Sequence, residues 1–168
     1  MQLLARKLGK ADKADLLVCT RDDGSATQVA MPRQGVLPHD LVHFIVESAL
    51  PFRHGFLSQV ADGASIAFDS GVSTVQGPER HVAESGQVES VVEALQTQLW
   101  AGAFDVESFL EGVRLACESR QLPAPAMPDI DLEAQLFERA RELNDEWMGV
   151  PPQQSMTLVF EQHGVATG

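Results

Sequence analysis

Two histidines spaced four residues apart are the side chains of this chain best suited to chemistry. They are His39 and His43, in the run His-Asp-Leu-Val-His that also holds Asp40. Residues four apart on a helix stand on one face with Cβ atoms about 6 Å apart, close enough for two imidazoles to bind one metal ion. The spacing therefore predicts a metal or proton-transfer site on a helix.

A catalytic metal site needs a third protein ligand. Glu47 continues the spacing of four, but it lies about 12 Å along the helix axis from His39, too far to share its ion. His54 is the expected third ligand, His81 is the next candidate, and an Asp or Glu side chain from elsewhere is a further possibility. Asp40 or Glu47 is the candidate catalytic base, and Asp40 could instead orient a ligand or a metal-bound water. The expected ion is divalent zinc, manganese or iron.

The same residues also fit a purely structural role. Histidines at the border of an apolar helix face often complete a hydrogen-bond network, and an aspartate in the first turn is favoured by the helix dipole. A zinc-protease helix carries Glu directly after its first histidine, where this chain has Asp40. A structural or pH-sensitive role is therefore the alternative to a metal site.

The His-Asp-x-x-His pattern formed by His39, Asp40 and His43 resembles the short signature of a ubiquinone-biosynthesis protein family. That signature places Glu after eleven further residues, and in this chain the corresponding residue is Gly55. The family is mainly helical, whereas this sequence predicts strands as well. The resemblance covers five residues, and no function is carried over from it.

Charge and composition restrict the possible partners and location. The chain has 168 residues, a formal net charge of −12 and only 12 Lys and Arg residues, which are scattered. Binding to nucleic acid depends on clustered cations, so no nucleic-acid partner is expected. The sequence shows neither a membrane-spanning run nor an export signal, and with Cys19 and Cys117 expected to be reduced and buried, it predicts a cytoplasmic protein.

The periodicity of apolar residues predicts a single domain over 1–168, with strands in 1–32, a helical region over 38–148 and a C-terminal strand over 155–161. Strands at 16–20 and 26–31 should form a hairpin around Gly24. The expected fold class is α+β: a small antiparallel sheet, built from the N-terminal hairpin and the C-terminal strand, packed on about five helices.

Helices are expected at 39–50, which carries the histidines, at 52–61, at 88–100, from a cap at Asp105, and from a cap at Asp131. The segment 62–86 is rich in Gly, Ser and Asp and is expected to be a loop with a short strand at 66–68. A loop of that length in a compact domain is unusual and is often functional.

The function is open between two classes. In the absence of a complete catalytic constellation, the first interpretation is a non-enzymatic cytoplasmic module that binds a protein or a small ligand, as monomer or homodimer. The alternative is a metal-dependent hydrolase or lyase that uses the helix with His39, Asp40 and His43. Convergence of both histidines with a third ligand would favour the alternative.

Overall fold

The computed structural model describes residues 1–69, 72–74 and 79–163, and for 67–69, 72–74 and 79–81 it describes the backbone alone. Over these ranges the elements are β1 (Gln2–Arg6), β2 (Ala14–Thr20), β3 (Ala26–Pro32), α1 (His39–Ala49), α2 (Phe56–Ala61), β4 (Ala67–Asp69), β5 (Val72–Thr74), α3 (Glu79–Ala101), α4 (Val106–Ser119), a π-helical segment (Glu133–Glu138), α5 (Arg139–Gly149) and β6 (Ser155–Val159). The predicted α+β class is confirmed.

Four antiparallel strands form the main sheet, in the order β3-β2-β1-β6. Successive strand residues point to opposite faces, so one face of this sheet can be apolar. Its buried residues include Leu3, Ala5, Leu17, Cys19, Val29 and Met31. β6 pairs with β1 along its whole length. The predicted sheet, made from the N-terminal hairpin and the C-terminal strand, is therefore confirmed.

The hairpin between β2 and β3 turns at Gly24, which has a φ of 87°. The amide of Gly24 donates to the carbonyl of Arg21, and the amide of Arg21 donates to the carbonyl of Ser25. A positive φ costs glycine little because it has no Cβ atom. The turn fixes the register in which alternate residues of both strands reach the core.

Packing against the core fixes the orientation of helix α1 about its own axis. The helix begins after Pro38, and its last backbone hydrogen bond is donated by the amide of Leu50, directly before Pro51. One side of α1 is buried through Leu41, Val42, Ile45 and Val46. This burial places the residues at the edge of the apolar face, including both histidines, next to α3.

The loop expected over 62–86 is shorter than predicted. α3 begins at Glu79, inside the 62–86 segment, and β4 and β5 form a small antiparallel pair before it. The expected apolar stripe of α3 is confirmed by the burial of Val88, Val91, Val92 and Leu95. The early turns were missed because a helix end that carries polar residues has no apolar periodicity to reveal it.

The later helices begin at the predicted caps. Asp105 accepts a hydrogen bond from the amide of Ser108 at 2.8 Å, and Asp131 accepts one from the amide of Ala134 at 3.0 Å. An aspartate at these positions satisfies amides that have no partner inside the helix. Among the described helices, none has the length and apolar character needed to cross a membrane.

Candidate metal centre

Three side chains from two helices meet at one point. His39 and His43 project from neighbouring turns of α1, and Glu89 projects from α3, which packs against α1. The Nε2 atom of His39 lies 2.7 Å from one carboxylate oxygen of Glu89, and the Nε2 atom of His43 lies 2.9 Å from the other. The two Nε2 atoms are 3.2 Å apart. Each of the three residues therefore offers one potential ligand atom, and these three atoms lie within 4.8 Å of one another.

The spacing of these groups suits a metal ion. Nitrogen and oxygen ligands lie about 2.0–2.2 Å from zinc, which puts neighbouring ligand atoms roughly 2.8–3.6 Å apart in octahedral or tetrahedral geometry. The two Nε2 atoms are 3.2 Å apart, and each lies close to its own oxygen of Glu89, at 2.7 Å for His39 and 2.9 Å for His43. A small outward movement of these side chains would reach the distances of a coordinated ion.

The outer nitrogen of each imidazole is held by a side-chain oxygen. His39 Nδ1 lies 3.1 Å from the amide oxygen of Gln96, and His43 Nδ1 lies 3.0 Å from Oε2 of Glu47. With the Gln96 amide in this orientation and the Glu47 carboxylate ionised, these oxygens accept hydrogen bonds, so each Nδ1 carries the proton and donates it. In the neutral rings the lone pair is then on Nε2, facing Glu89. Metal-binding histidines are commonly oriented by such bonds.

Lone pairs that face one another require a positive charge between them. With both Nδ1 atoms protonated, the two neutral Nε2 atoms and the Glu89 carboxylate are all acceptors, and they lie within hydrogen-bonding distance of each other. Such a set of acceptors is repulsive unless a proton or a metal ion lies among them. The geometry therefore calls for either a proton or a metal ion among these three groups.

Glu47 is a structural anchor of this position. It is fully buried, and besides His43 its carboxylate accepts the amide hydrogens of Leu57 and Ser58, each at 3.2 Å. These two amides belong to the first turn of α2, whose own cap residue, Gly55, has no side chain to offer. Glu47 thus caps α2 from α1 and fixes the ring of His43 at the same time.

Glycine at position 55 makes room for this carboxylate. A Cβ atom at Gly55 would overlap the Glu47 carboxylate. The backbone of Gly55 has φ −70° and ψ 177°, a conformation that any residue adopts. Glycine is therefore required here because a side chain has no room beside Glu47, and not because of the backbone conformation. Position 55 is also the place where the ubiquinone-biosynthesis signature has Glu, and here the carboxylate next to it comes from Glu47.

The electrostatics of the cluster favour positive charge. Burial disfavours the charged imidazole of His43, but Glu89 and Glu47 outweigh it and raise the pKa of His43 to about 10. Burial acts against the charged form of Glu89 as well, yet His43 and His39 hold the pKa of that carboxyl well below its usual range. Carboxylates therefore surround this end of α1 and create a negative potential that attracts cations.

Asp40 is a buried carboxyl group beside the cluster. It is 4 % exposed, and the described residues offer it no hydrogen bond. Burial raises the pKa of Asp40, and the nearby histidines, His43 and His39, reduce this increase only in part. A raised pKa favours the protonated carboxyl group, the form from which a general acid donates its proton.

The cluster is open to solvent on one side. The side chains of His39 and Glu89 are 35 % and 29 % exposed, whereas that of His43 is 3 % exposed. The ring of His43 lies against Phe56, with ring centroids 5.4 Å apart. An ion bound here would thus have protein on its inner side and room for water or a substrate on its outer side.

The structure brings together some of the predicted site residues and leaves others apart. His39 and His43 converge as expected, whereas the third ligand in the converging set is Glu89 and not His54. His54 follows the end of α1, and its amide hydrogen bonds to Glu84 of α3. The side chain of His81 lies outside the described residues. Glu47 supports His43 and lies too deep to face the cluster's open side.

Glu89 and Gln96 were missed by sequence reasoning. They are seven residues apart on α3, so they lie on one side of the helix, two turns apart. Gln96 is 5 % exposed among the apolar residues of that side, which is unusual for glutamine. Two polar residues beside the apolar stripe of this helix are the available signal, and this signal does not indicate what they contact.

Comparison with protein-family models, with curated proteins and with solved structures found no match for this chain. The protein is therefore described by its fold and its site alone: it has an α+β fold and a candidate metal centre of two histidines and one carboxylate.

Proposed function

We propose that this protein binds one divalent metal ion through His39, His43 and Glu89 and is a metal-dependent hydrolase or lyase. The observation that carries the proposal is the convergence of both Nε2 atoms and the Glu89 carboxylate while both Nδ1 atoms are held by side-chain oxygens. Catalytic metal sites commonly have three protein ligands with such supporting hydrogen bonds.

The donor set narrows the choice of ion. Two imidazoles and a carboxylate suit zinc, manganese and iron(II), and the set contains no thiolate that would favour a softer ion. Two histidines and one glutamate occur in zinc hydrolases, and two histidines with one carboxylate also hold iron(II) in oxygen-using enzymes. Zinc, manganese and iron(II) are therefore the ions to test.

The chemistry follows from the open side of the site. A divalent ion with three protein ligands retains positions for water or substrate, polarises a bound oxygen and lowers the pKa of a bound water. In the proposal Asp40 is the general base or acid, because it is buried near the histidines with its carboxyl uncommitted. Glu47 is assigned to positioning, because its carboxylate is fully buried and already accepts three hydrogen bonds.

The competing proposal keeps the protein non-enzymatic. In that case a proton on His43 holds the cluster together, with the imidazolium bonded to Glu47 and Glu89. The observation that favours it is the contact of His43 with two carboxylates, at 3.0 Å to Glu47 and 2.9 Å to Glu89, and these carboxylates also raise the pKa of His43 although its burial acts in the opposite direction. The module would then bind a protein or small ligand elsewhere, and the cluster would only join α1 to α3.

Metal binding distinguishes the two proposals. The chain is treated with a chelator, dialysed and titrated with zinc, manganese or iron(II), with stoichiometry from calorimetry and elemental analysis. We expect one ion per chain for at least one metal. At a free concentration 100 times Kd the ion would add about 2.7 kcal/mol to the free energy of unfolding and raise Tm by roughly 5–10 °C.

Matched variants on one helix test the assignment of the ligand. Glu89→Gln should abolish stoichiometric binding because it removes a charged ligand, whereas Glu93→Gln should retain it. Glu93 lies one turn further along α3 and pairs with Arg120, so it controls for loss of charge on this helix. Absence of bound metal in the unaltered protein, or equal loss in both variants, would overturn the proposal.

Catalysis needs a separate test. The metal-loaded protein is screened against ester, phosphoester, amide and β-elimination substrates, together with Asp40→Asn, which is similar in size. We expect the variant to bind the metal and to lose turnover at least about 100-fold. Metal binding without turnover on any of these substrates would contradict the enzymatic part of the proposal and leave the metal site intact.

A further inference from the structure

A second feature of interest is a cavity near the ends of β1 and α5. An open cavity of about 530 Å³ lies between the residues that follow β1, the segment before α1 and the C-terminal end of α5. Its walls are mainly apolar and include Val36, Pro38, Trp147, Met148, Val150 and Pro151. Cavities of about 300–1,000 Å³ with apolar walls and a few polar groups are typical of small-molecule sites.

Two lysines line this cavity, and among the described residues neither has an ion-pair partner. The Nζ atom of Lys7 lies 4.9 Å from the ring centroid of Trp147, and Lys10 is exposed nearby. Across the described residues neither lysine forms a salt bridge. The Lys7 ammonium therefore rests on an aromatic face and keeps its hydrogens available for an anion.

The third cation of the cavity is already committed. Arg33 binds the carboxylate of Asp15 through two nitrogens, at 2.7 and 3.0 Å, and also donates to the carbonyls of Gly9 and Asp12. Among the described residues Asp15 is the one acidic residue that lines the cavity, and its ion pair with Arg33 cancels its charge. The two lysines therefore give the cavity its net positive charge.

This positive charge contrasts with the rest of the molecule. The chain has a net charge of −12, with twice as many acidic as basic residues. An apolar cavity with an excess of cations in such a protein selects ligands of complementary charge, because the rest of the surface repels anions. A neutral apolar ligand would gain nothing from the two lysines.

We propose that this cavity binds a small amphipathic anion, a molecule with an apolar body and one carboxylate head group. The apolar body would lie against Trp147 and Val150, and the carboxylate would bond to the ammonium groups of Lys7 and Lys10. The inference does not depend on the metal centre, since none of the cluster's metal ligands lines the cavity.

The fluorescence of Trp147 reports directly whether the cavity is occupied. The chain has two tryptophans, so in a Trp100→Phe variant all indole fluorescence comes from Trp147. This variant, treated with a chelator so that the metal centre plays no part, is titrated with decanoate below its critical micelle concentration. We expect a saturable change in Trp147 emission, and a much weaker response to decanol, which has the same chain without the charge.

Substitution of the lysines then tests the charge. In the Trp100→Phe background, Lys7→Gln and Lys10→Gln should each weaken decanoate binding about three- to tenfold. Lys13→Gln is the matched control, because Lys13 is an exposed lysine that does not line the cavity, and its Kd should be unchanged. No saturable change, equal affinity for decanol, or equal weakening by Lys13→Gln would each overturn the proposal.

Discussion

The strongest structural prediction concerns Gly55, because one added methyl group there should disturb three contacts. In Gly55→Ala the new Cβ atom would overlap the carboxylate of Glu47, which is fully buried and has no space to retreat into. Glu47 must therefore move. Its bonds to His43 and to the first amides of α2 would be lost or lengthened.

The size of the effect can be worked from these contacts. Forcing an extra methyl group into a packed site costs about 1–3 kcal/mol, and loss of a helix cap costs about 0.5–2 kcal/mol. The alanine would return roughly 0.4–1 kcal/mol by restricting the unfolded chain. We therefore expect Gly55→Ala to lower the free energy of unfolding by about 2.5 kcal/mol, within a range of about 0.5–4.5 kcal/mol.

Urea denaturation of the metal-free protein measures this change, with Gly112→Ala as the control. Gly112 lies inside α4, and a Cβ atom there would meet Ala94 at 3.4 Å, an ordinary contact. That variant should match the unaltered protein or gain up to about 1 kcal/mol from helix propensity. If Gly55→Ala were as stable as Gly112→Ala, the reasoning about Glu47 would be refuted.

Four further predictions use single variants. Glu47→Gln should weaken metal binding about 10–100-fold in calorimetry, because His43 loses its carboxylate support; unchanged affinity would contradict that role. His54→Ala should keep one ion per chain by elemental analysis, and loss of the ion would return His54 to the ligand set. Burial opposes ionisation of Asp15, but hydrogen bonds from Arg33 and Leu8 outweigh it and lower the pKa of this carboxyl group from 3.8. The Asp15 carboxylate therefore stabilises the fold above pH 3.8, and this contribution disappears as the pH falls through the lowered pKa. Urea unfolding between pH 3 and 6 should show a smaller loss of stability for Asp15→Asn than for the unaltered protein, and parallel curves would count against this assignment. Asp105→Ala should lower the free energy of unfolding by about 0.5–2 kcal/mol, and a smaller change would show that the cap contributes little.

Local patterns account for the parts of the fold that were predicted well. The β2–β3 hairpin follows from two alternating runs around Gly24, and α4 follows from an aspartate cap before a regular apolar stripe. Each signal lies within one element or its turn. The first turns of α3 carried no such signal and were taken for a loop.

The candidate site was predicted only in part, for a related reason. The pairing of His39 with His43 is set by helix geometry, so four residues of sequence are enough to predict it. The choice of Glu89 over His54 depends on how α3 packs on α1, across about 50 residues of chain. Nearness in sequence favoured His54, and packing brought Glu89 to the histidines.

Composition and short-range periodicity are enough to predict the class of fold, the helix that carries both histidines and the acidic character of the chain. Packing of the elements brings Glu89 to the two histidines and places Glu47 against His43 in a space left by Gly55. It also gathers two lysines, unpaired among the described residues, at an apolar cavity. Those relations join residues far apart in the chain, and they exist only once the apolar faces of the helices and the sheet have fixed how the elements pack.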